Sequence, residues 1–145
     1  MKKLFYIING PNLNMLGARE PEHYGKDDYK ALTASVKEKA KALGVKVKLY
    51  QSNHEGDLVD KIQEAYRKGA CGIVINPGAY THTSIALLDA LKATKLPAVE
   101  VHISKVEERE DFRQVSYIRL AAEKTITGHG ILGYSDALEY LAKNH

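Results

Sequence analysis

Cysteine is almost missing from this chain. Cys71 is the single thiol among 145 residues, which excludes an intrachain disulfide and fits a reducing, cytoplasmic compartment. Its neighbours Ala70, Gly72 and Ile73 suggest the buried start of a strand rather than a reactive thiol. Long apolar runs are missing as well. Lys2-Lys3 followed by Leu4–Ile8 has the outline of a secretory signal, but five apolar residues fall short of the about 7–15 such a core needs. No stretch approaches the roughly 20 apolar residues of a membrane span. Charge of one sign is scarce: 21 Lys and Arg against 18 Asp and Glu leave a net +3, spread along the chain without blocks. That balance argues against nucleic acid as a partner and supports only a weak preference for anionic small molecules. The expectation is a soluble cytoplasmic protein that binds neither nucleic acid nor membrane.

Cofactor motifs are lacking too. There is no G-x-x-x-x-G-K-[ST] to cradle a phosphate, and Ser84 in "THTSIA" lacks the G-x-S-x-G elbow of a nucleophilic serine. The six histidines, at 23, 54, 82, 102, 129 and 145, never fall at H-x-x-x-H spacing, so no metal site is expected. Only His82 and His102 occupy strand exits, where they could meet. "GHGILG", Gly128–Gly133, satisfies G-x-G-x-x-G after a strand-like "KTIT". A dinucleotide site also needs an acidic residue on a second strand about 20 positions on. The sequence reaches His145 first, so a tight Gly-rich turn is the expected role.

What is present is alternation. With 44% hydrophobic and 27% charged residues the composition is that of a globular protein, and the length is that of one domain, 1–145, with one sizeable core. Leu4–Ile8 is a continuous apolar run, as in a strand covered on both faces. Asp27 or Asp28 can cap a helix carrying Tyr29, Leu32, Val36, Ala40 and Leu43, which Gly44 stops. Val45–Tyr50 is a second strand, Asp57 opens a helix ended by Gly69, and Gly72–Ile75 is a third strand. Thr81, Thr83 or Ser84 caps a helix through Ile85, Leu88 and Leu91 that stops before Pro97. Ala98–Ile103 is a fourth strand, Glu107–Phe112 a short helix, Thr125–Ile126 part of a fifth strand, and Ser135 the cap of a final helix. Five strands alternating with helices predict an α/β fold: a doubly wound, flavodoxin-like parallel sheet.

In such a sheet ligands sit beyond the carboxyl ends of the strands. Strand one runs into "NGPNLNMLGAREPEHYG", strand two into "QSNHEG", strand three into "NPGAYTHTS" and strand four into "EVHISK". Four polar exits on one edge predict a small-molecule site there. The first is too polar for core and too long for a turn. Within it Arg19 precedes Tyr24 by five residues, between Gly17 and Gly25, in the manner of a hinged lid. A free Tyr, with a pKa of about 10, is a poor base near neutrality. A guanidinium within a few ångströms favours the phenolate and makes a general base available for a carbon-bound proton. The residues alone leave a second reading open, in which Tyr24 packs the loop down and Arg19 is solvated.

These stretches, with "INPGAYTHTSIALLDAL", "VEVHISKVEEREDFR", "SYI" and "ITGHG", occur in the order and at the spacings of type II 3-dehydroquinate dehydratase, and from about Leu4 to Tyr134 the chain resembles that family. The resemblance implies a flavodoxin-like fold and a step of the shikimate pathway toward chorismate and aromatic amino acids. In that step 3-dehydroquinate loses water to give 3-dehydroshikimate, through an enolate, without metal or organic cofactor. It further implies that Tyr24 removes the C2 proton, that Arg19 lowers the pKa of Tyr24, and that His102 protonates the leaving C1 hydroxyl. Asn12 would hold a water that stabilises the enolate, and Glu100 would orient His102. Asn76, His82, Ile103, Ser104 and Arg113 would contact substrate, Asp89 would reach the site of a neighbouring subunit, and Arg109 would order the loop. The implied assembly is a homododecamer, a tetramer of trimers. A β-hydroxyketone eliminating through an enolate needs such a base, donor and acid.

The chain departs from the family pattern at Leu88, Lys105, Lys124 and His129, away from the implied base and acid. Two other readings stand beside the lyase. One is a flavodoxin-like module that binds an anionic metabolite or nucleotide without chemistry, which would have no need of an acidified phenol. The other is a Schiff-base route to the same product. That route needs a buried Lys, whereas the lysines here fall on apparently solvated faces, strand ends or polar loops.

Overall fold

The computed structural model describes residues 1–18 and 27–145. Arg19 and Tyr24 therefore lie outside the described residues. Strands β1 (Leu4–Asn9), β2 (Lys46–Gln51), β3 (Gly72–Asn76), β4 (Ala98–His102) and β5 (Lys124–Thr127) form, among the described residues, one parallel sheet in the order β2-β1-β3-β4-β5. This is the flavodoxin-like order, which reverses direction at the β1/β3 boundary. The three inner strands are buried almost throughout, whereas the edge strands expose lysines, Lys46 and Lys48 on β2 and Lys124 on β5.

Side-chain alternation divides the core between two faces. Phe5, Ile7, Val74, Val99 and Val101 pack under helices α1 (Tyr29–Leu43) and α4 (Leu132–Asn144). Tyr6, Ile8, Ile73, Ile75 and Ala98 pack under α2 (Glu55–Arg67) and α3 (Ile85–Thr94). Each such fully buried aliphatic side chain contributes about 1.5–3 kcal/mol of transfer free energy. The same alternation decides where polar residues go at the strand ends. Asn9 and Asn76 continue the α1/α4 face, whereas Glu100 and His102 continue the face of Ala98.

The first helix follows its sequence signals. Asp28 accepts a hydrogen bond from the Ala31 N–H at 2.8 Å, and Gly44 closes the helix with φ 69°. Elsewhere tertiary contacts move the boundaries. α2 starts at Glu55, and Asp57 lies inside its first turn, accepting from the Ser52 hydroxyl at 2.8 Å. Ser84 is the cap of α3, accepting from Leu87 N–H at 3.0 Å, while Thr81 is drawn inward to Glu100. Ser135 is not a cap: α4 begins at Leu132, directly out of the turn formed by Gly128 (φ 75°) and Gly130 (φ 58°). That turn is the tight Gly-rich role expected for "GHGILG". Glu107–Phe112 is not one helix but two 3₁₀ turns, Val106–Glu108 and Asp111–Gln114, with Arg109 between them in extended backbone. No helix among the described residues is long and apolar enough to cross a membrane.

Candidate active site

The carboxyl ends of β1 and β3 are locked together by two backbones that approach too closely for side chains. A Cβ on Gly10 would lie 2.3 Å from the Pro77 carbonyl oxygen, and Gly10 N–H donates to the Asn76 carbonyl at 2.8 Å. Reciprocally, Gly78 has φ 61°, and a Cβ there would meet the Pro11 carbonyl at 3.0 Å. The exit of β2 braces this junction: the Gln51 amide donates to Gly10 O at 3.1 Å, and Asn53 Oδ1 accepts from Asn12 N–H at 3.0 Å. Asn12 itself is left-handed, with φ 71°, a conformation Asn tolerates better than most residues. The asparagines that look too polar for the core therefore organise the floor of a cavity.

That cavity has a volume of about 180 Å³. Its walls include Asn12, Asn76, His82, His102, Ile103, Ser104, Arg109 and Arg113. Glu100 and Asp89, expected to orient His102 and to reach a neighbouring subunit's site, do not line it. Glu100 sits behind His102, and Asp89 lies on α3, away from this cavity. No carboxylate lines the cavity among the described residues, whereas two guanidinium groups and two imidazoles do. It is built for an anion carrying groups that can hydrogen-bond.

Glu100 is fully buried. Its Oε2 accepts from His102 Nε2 at 2.5 Å, from Ser116 at 2.8 Å and from Thr81 at 3.0 Å; its Oε1 lies 3.3 Å from the Thr125 hydroxyl and 3.6 Å from Arg119 Nε. Burial would raise its pKa, but the hydrogen bond and charge of His102, the Ser116 hydroxyl and the Arg119 guanidinium outweigh that and hold it down to about 2. Glu100 is therefore a carboxylate at neutral pH. A carboxylate can only accept, so His102 Nε2 carries hydrogen and Nδ1 is the nitrogen left for other partners. Strand geometry makes this pairing automatic, because residues two apart on β4 share a face.

His82 is held differently. Its Nδ1 lies 2.6 Å from the Val115 carbonyl, so Nδ1–H donates there. Burial lowers its pKa; the Val115 hydrogen bond opposes this, and the positive charges of His102 and Arg113 reinforce it. The neutral tautomer keeps Nε2 as an acceptor. Arg113 is anchored through Nε to Glu110, whose carboxyl that bond holds below its usual range. Ser116 and Thr81 were not expected to hold Glu100. Thr81 reads in sequence as a helix cap, and Ser116, although within the family stretch "SYI", is given no role there, because its partner is 16 residues away on another element.

The sequence model of the family Dehydroquinase class II matches residues 3–142. The chain belongs to that family. It is 53% identical over 142 residues to the 3-dehydroquinate dehydratase of Rhodopseudomonas palustris (strain BisA53), covering 98% of this chain and 94% of that one. Over 136 residues it is 54% identical to the 3-dehydroquinate dehydratase of Corynebacterium glutamicum (strain R), covering 94% and 93%. The crystal structure of the type II dehydroquinase from Butyrivibrio crossotus DSM 2876 superposes with a TM-score of 0.95 at 48% identity, covering 97% of both chains. That from Propionibacterium acnes does so at 0.94 and 39%, covering 99% of both. The class II dehydroquinase fold is thus the doubly wound sheet expected from the alternation of strands and helices.

Proposed function

We propose that this chain is a single catalytic domain that dehydrates 3-dehydroquinate to 3-dehydroshikimate, reversibly and by acid–base chemistry, as an enzyme of the shikimate pathway in the cytoplasm. The observation that carries the reading is the buried Glu100–His102 pair beside a cavity lined by Arg109 and Arg113 and free of carboxylates among the described residues. Tyr24, its phenol acidified by Arg19, takes the C2 hydrogen; the electron pair moves onto the C3 ketone as an enolate. Asn12 holds a water that donates to the enolate oxygen. The enolate then re-forms the ketone and expels the C1 hydroxyl, which His102 protonates so that it leaves as water. Glu100, accepting from Nε2–H, orients the ring and stabilises the imidazolium, whose Nδ1–H is the proton delivered to the leaving hydroxyl.

The substrate carboxylate is received by the Ser104 hydroxyl and the backbone at Ile103 and Ser104, and the ring hydroxyls by Asn76, His82 and Arg113. Arg109 orders the loop over the bound ring. Asp89 contributes from a neighbouring subunit in a homododecamer built of trimers, and no cofactor takes part. Purified protein incubated with 3-dehydroquinate and a chelator should show the ultraviolet absorbance of the conjugated product growing with time. Absence of turnover, or turnover that the chelator abolishes, would overturn the reading.

A further inference from the structure

One buried polar chain on the α1/α4 face reaches the cavity only at Asn76. Asn9 and Tyr134 are fully buried and Asn76 nearly so. A backbone donor settles the direction of their hydrogen bonds. Gly78 N–H can only donate, and it does so to Asn76 Oδ1 at 3.1 Å. Asn76 therefore turns Nδ2 to the Tyr134 oxygen, at 2.8 Å, and the one phenolic hydrogen goes to Asn9 Oδ1, at 2.6 Å. Burial pushes the Tyr134 phenol well above its ordinary pKa, so this hydrogen stays in place at any working pH. Asn9 keeps this orientation, with the Tyr29 phenol as its other polar neighbour. Turning the Asn9 amide over would leave the phenol facing donors on both sides.

We propose that Tyr134 is a positioning residue for substrate binding: its oxygen locks the Asn76 amide so that the second Nδ2 hydrogen is presented to a ring hydroxyl in the cavity. Asn76 lines the cavity and Tyr134 does not, so Tyr134 acts only through the amide. Held by Gly78 alone, the terminal torsion of Asn76 would be soft. Held at both ends it is fixed, and one of its two amide hydrogens is consumed inside the protein while the other is left for a ligand. The inference rests on the proposed dehydration and on Asn76 as a substrate contact.

Tyr134→Phe keeps the ring and removes the oxygen. With wild type active on 3-dehydroquinate, the variant should raise KM about tenfold, near the upper end of what one net hydrogen bond supplies, with kcat within a factor of about three. In an Asn76→Ala background Tyr134→Phe should leave KM unchanged while still lowering thermal stability. A folded Tyr134→Phe enzyme with wild-type KM, or KM effects that simply multiply in the double variant, would overturn the proposal and leave Tyr134 a packing residue. If Tyr134→Phe does not fold, 3,5-difluorotyrosine placed at position 134 keeps the shape and makes the oxygen a poorer acceptor. KM should then rise about twofold, and an unchanged KM would refute the role. An inactive wild type would instead sink the dehydration reading itself.

Discussion

Replacing Glu100 by Gln tests the electrostatics of the site through stability and turnover together. Glu100 is fully buried, and its carboxyl is held at about 2 against an ordinary 4.5. At about 1.36 kcal/mol per pH unit, that gap is worth about 3 kcal/mol of folded-state stability. Because the folded value lies below the unfolded one, the unfolded chain binds more protons between them. The stabilisation is therefore complete above about pH 5 and is lost as pH falls from about 4.5 toward 2. An amide cannot replace the carboxylate at both oxygens. If its oxygen takes the place of Oε2, serving His102, Ser116 and Thr81, its NH₂ faces Arg119, 3.6 Å from the other oxygen. If it turns over, the NH₂ faces His102 Nε2, which must then accept, and the imidazolium needed to deliver a proton is lost. Urea unfolding of wild type and Glu100→Gln across pH 3–8 should give a difference of about 3 kcal/mol near neutrality that shrinks steadily below pH 4.5. At pH 7 kcat should fall at least about 100-fold, the low end for a disabled general acid. A stability difference that is flat with pH, or a variant with near wild-type turnover, would show that the Glu100 carboxylate does neither job.

Three further outcomes follow from the same structure. Tyr24→Phe should lower turnover at least about 100-fold with substrate binding largely kept; initial rates and equilibrium binding separate the two, and a near wild-type rate would remove Tyr24 from the role of base. Gly10→Ala places a methyl 2.3 Å from the Pro77 carbonyl oxygen, so it should cost more than about 2 kcal/mol in urea unfolding and disturb the cavity floor; a loss under about 0.5 kcal/mol would contradict the close approach of the two loops. Ser84→Ala should cost about 1 kcal/mol through the lost α3 cap, whereas Thr83→Ala should cost less, since Thr83 makes no cap; equal losses would refute the assignment.

Local chemistry made much of this fold legible in advance. The apolar runs at Leu4–Ile8 and Gly72–Ile75 announce inner strands, because only a strand covered on both faces needs no alternation. Asp28 and Gly44 mark the ends of α1, because one supplies an acceptor and the other a left-handed turn. The polar edge was legible for the same reason: Asn, His, Ser and Gly gather where four strands end. What was hidden depends on partners distant in the chain. Thr81 has all the local marks of a cap, yet Glu100, 19 residues on, takes its hydroxyl. Ser116 and Tyr134 gain their roles only when packing brings them to Glu100 and Asn76, and Tyr134 stands one residue ahead of the Ser135 expected as a helix cap, where no local pattern marks it. α4 starts ahead of Ser135 because the Gly128–Gly130 turn delivers the chain directly onto the sheet, where Gly133 lets the helix approach Val101 and Ile126.

In the proposed reaction a phenol and an imidazole on opposite sides of the ring remove hydrogen and hydroxide through an enolate. 3-Dehydroquinate carrying deuterium at C2 in one stereochemical position at a time tests this. The label anti to the C1 hydroxyl should be lost to solvent while the syn label stays in the product, and borohydride added with substrate should leave the enzyme active. Loss of the syn label, with borohydride inactivating the enzyme by reducing an imine, would contradict it.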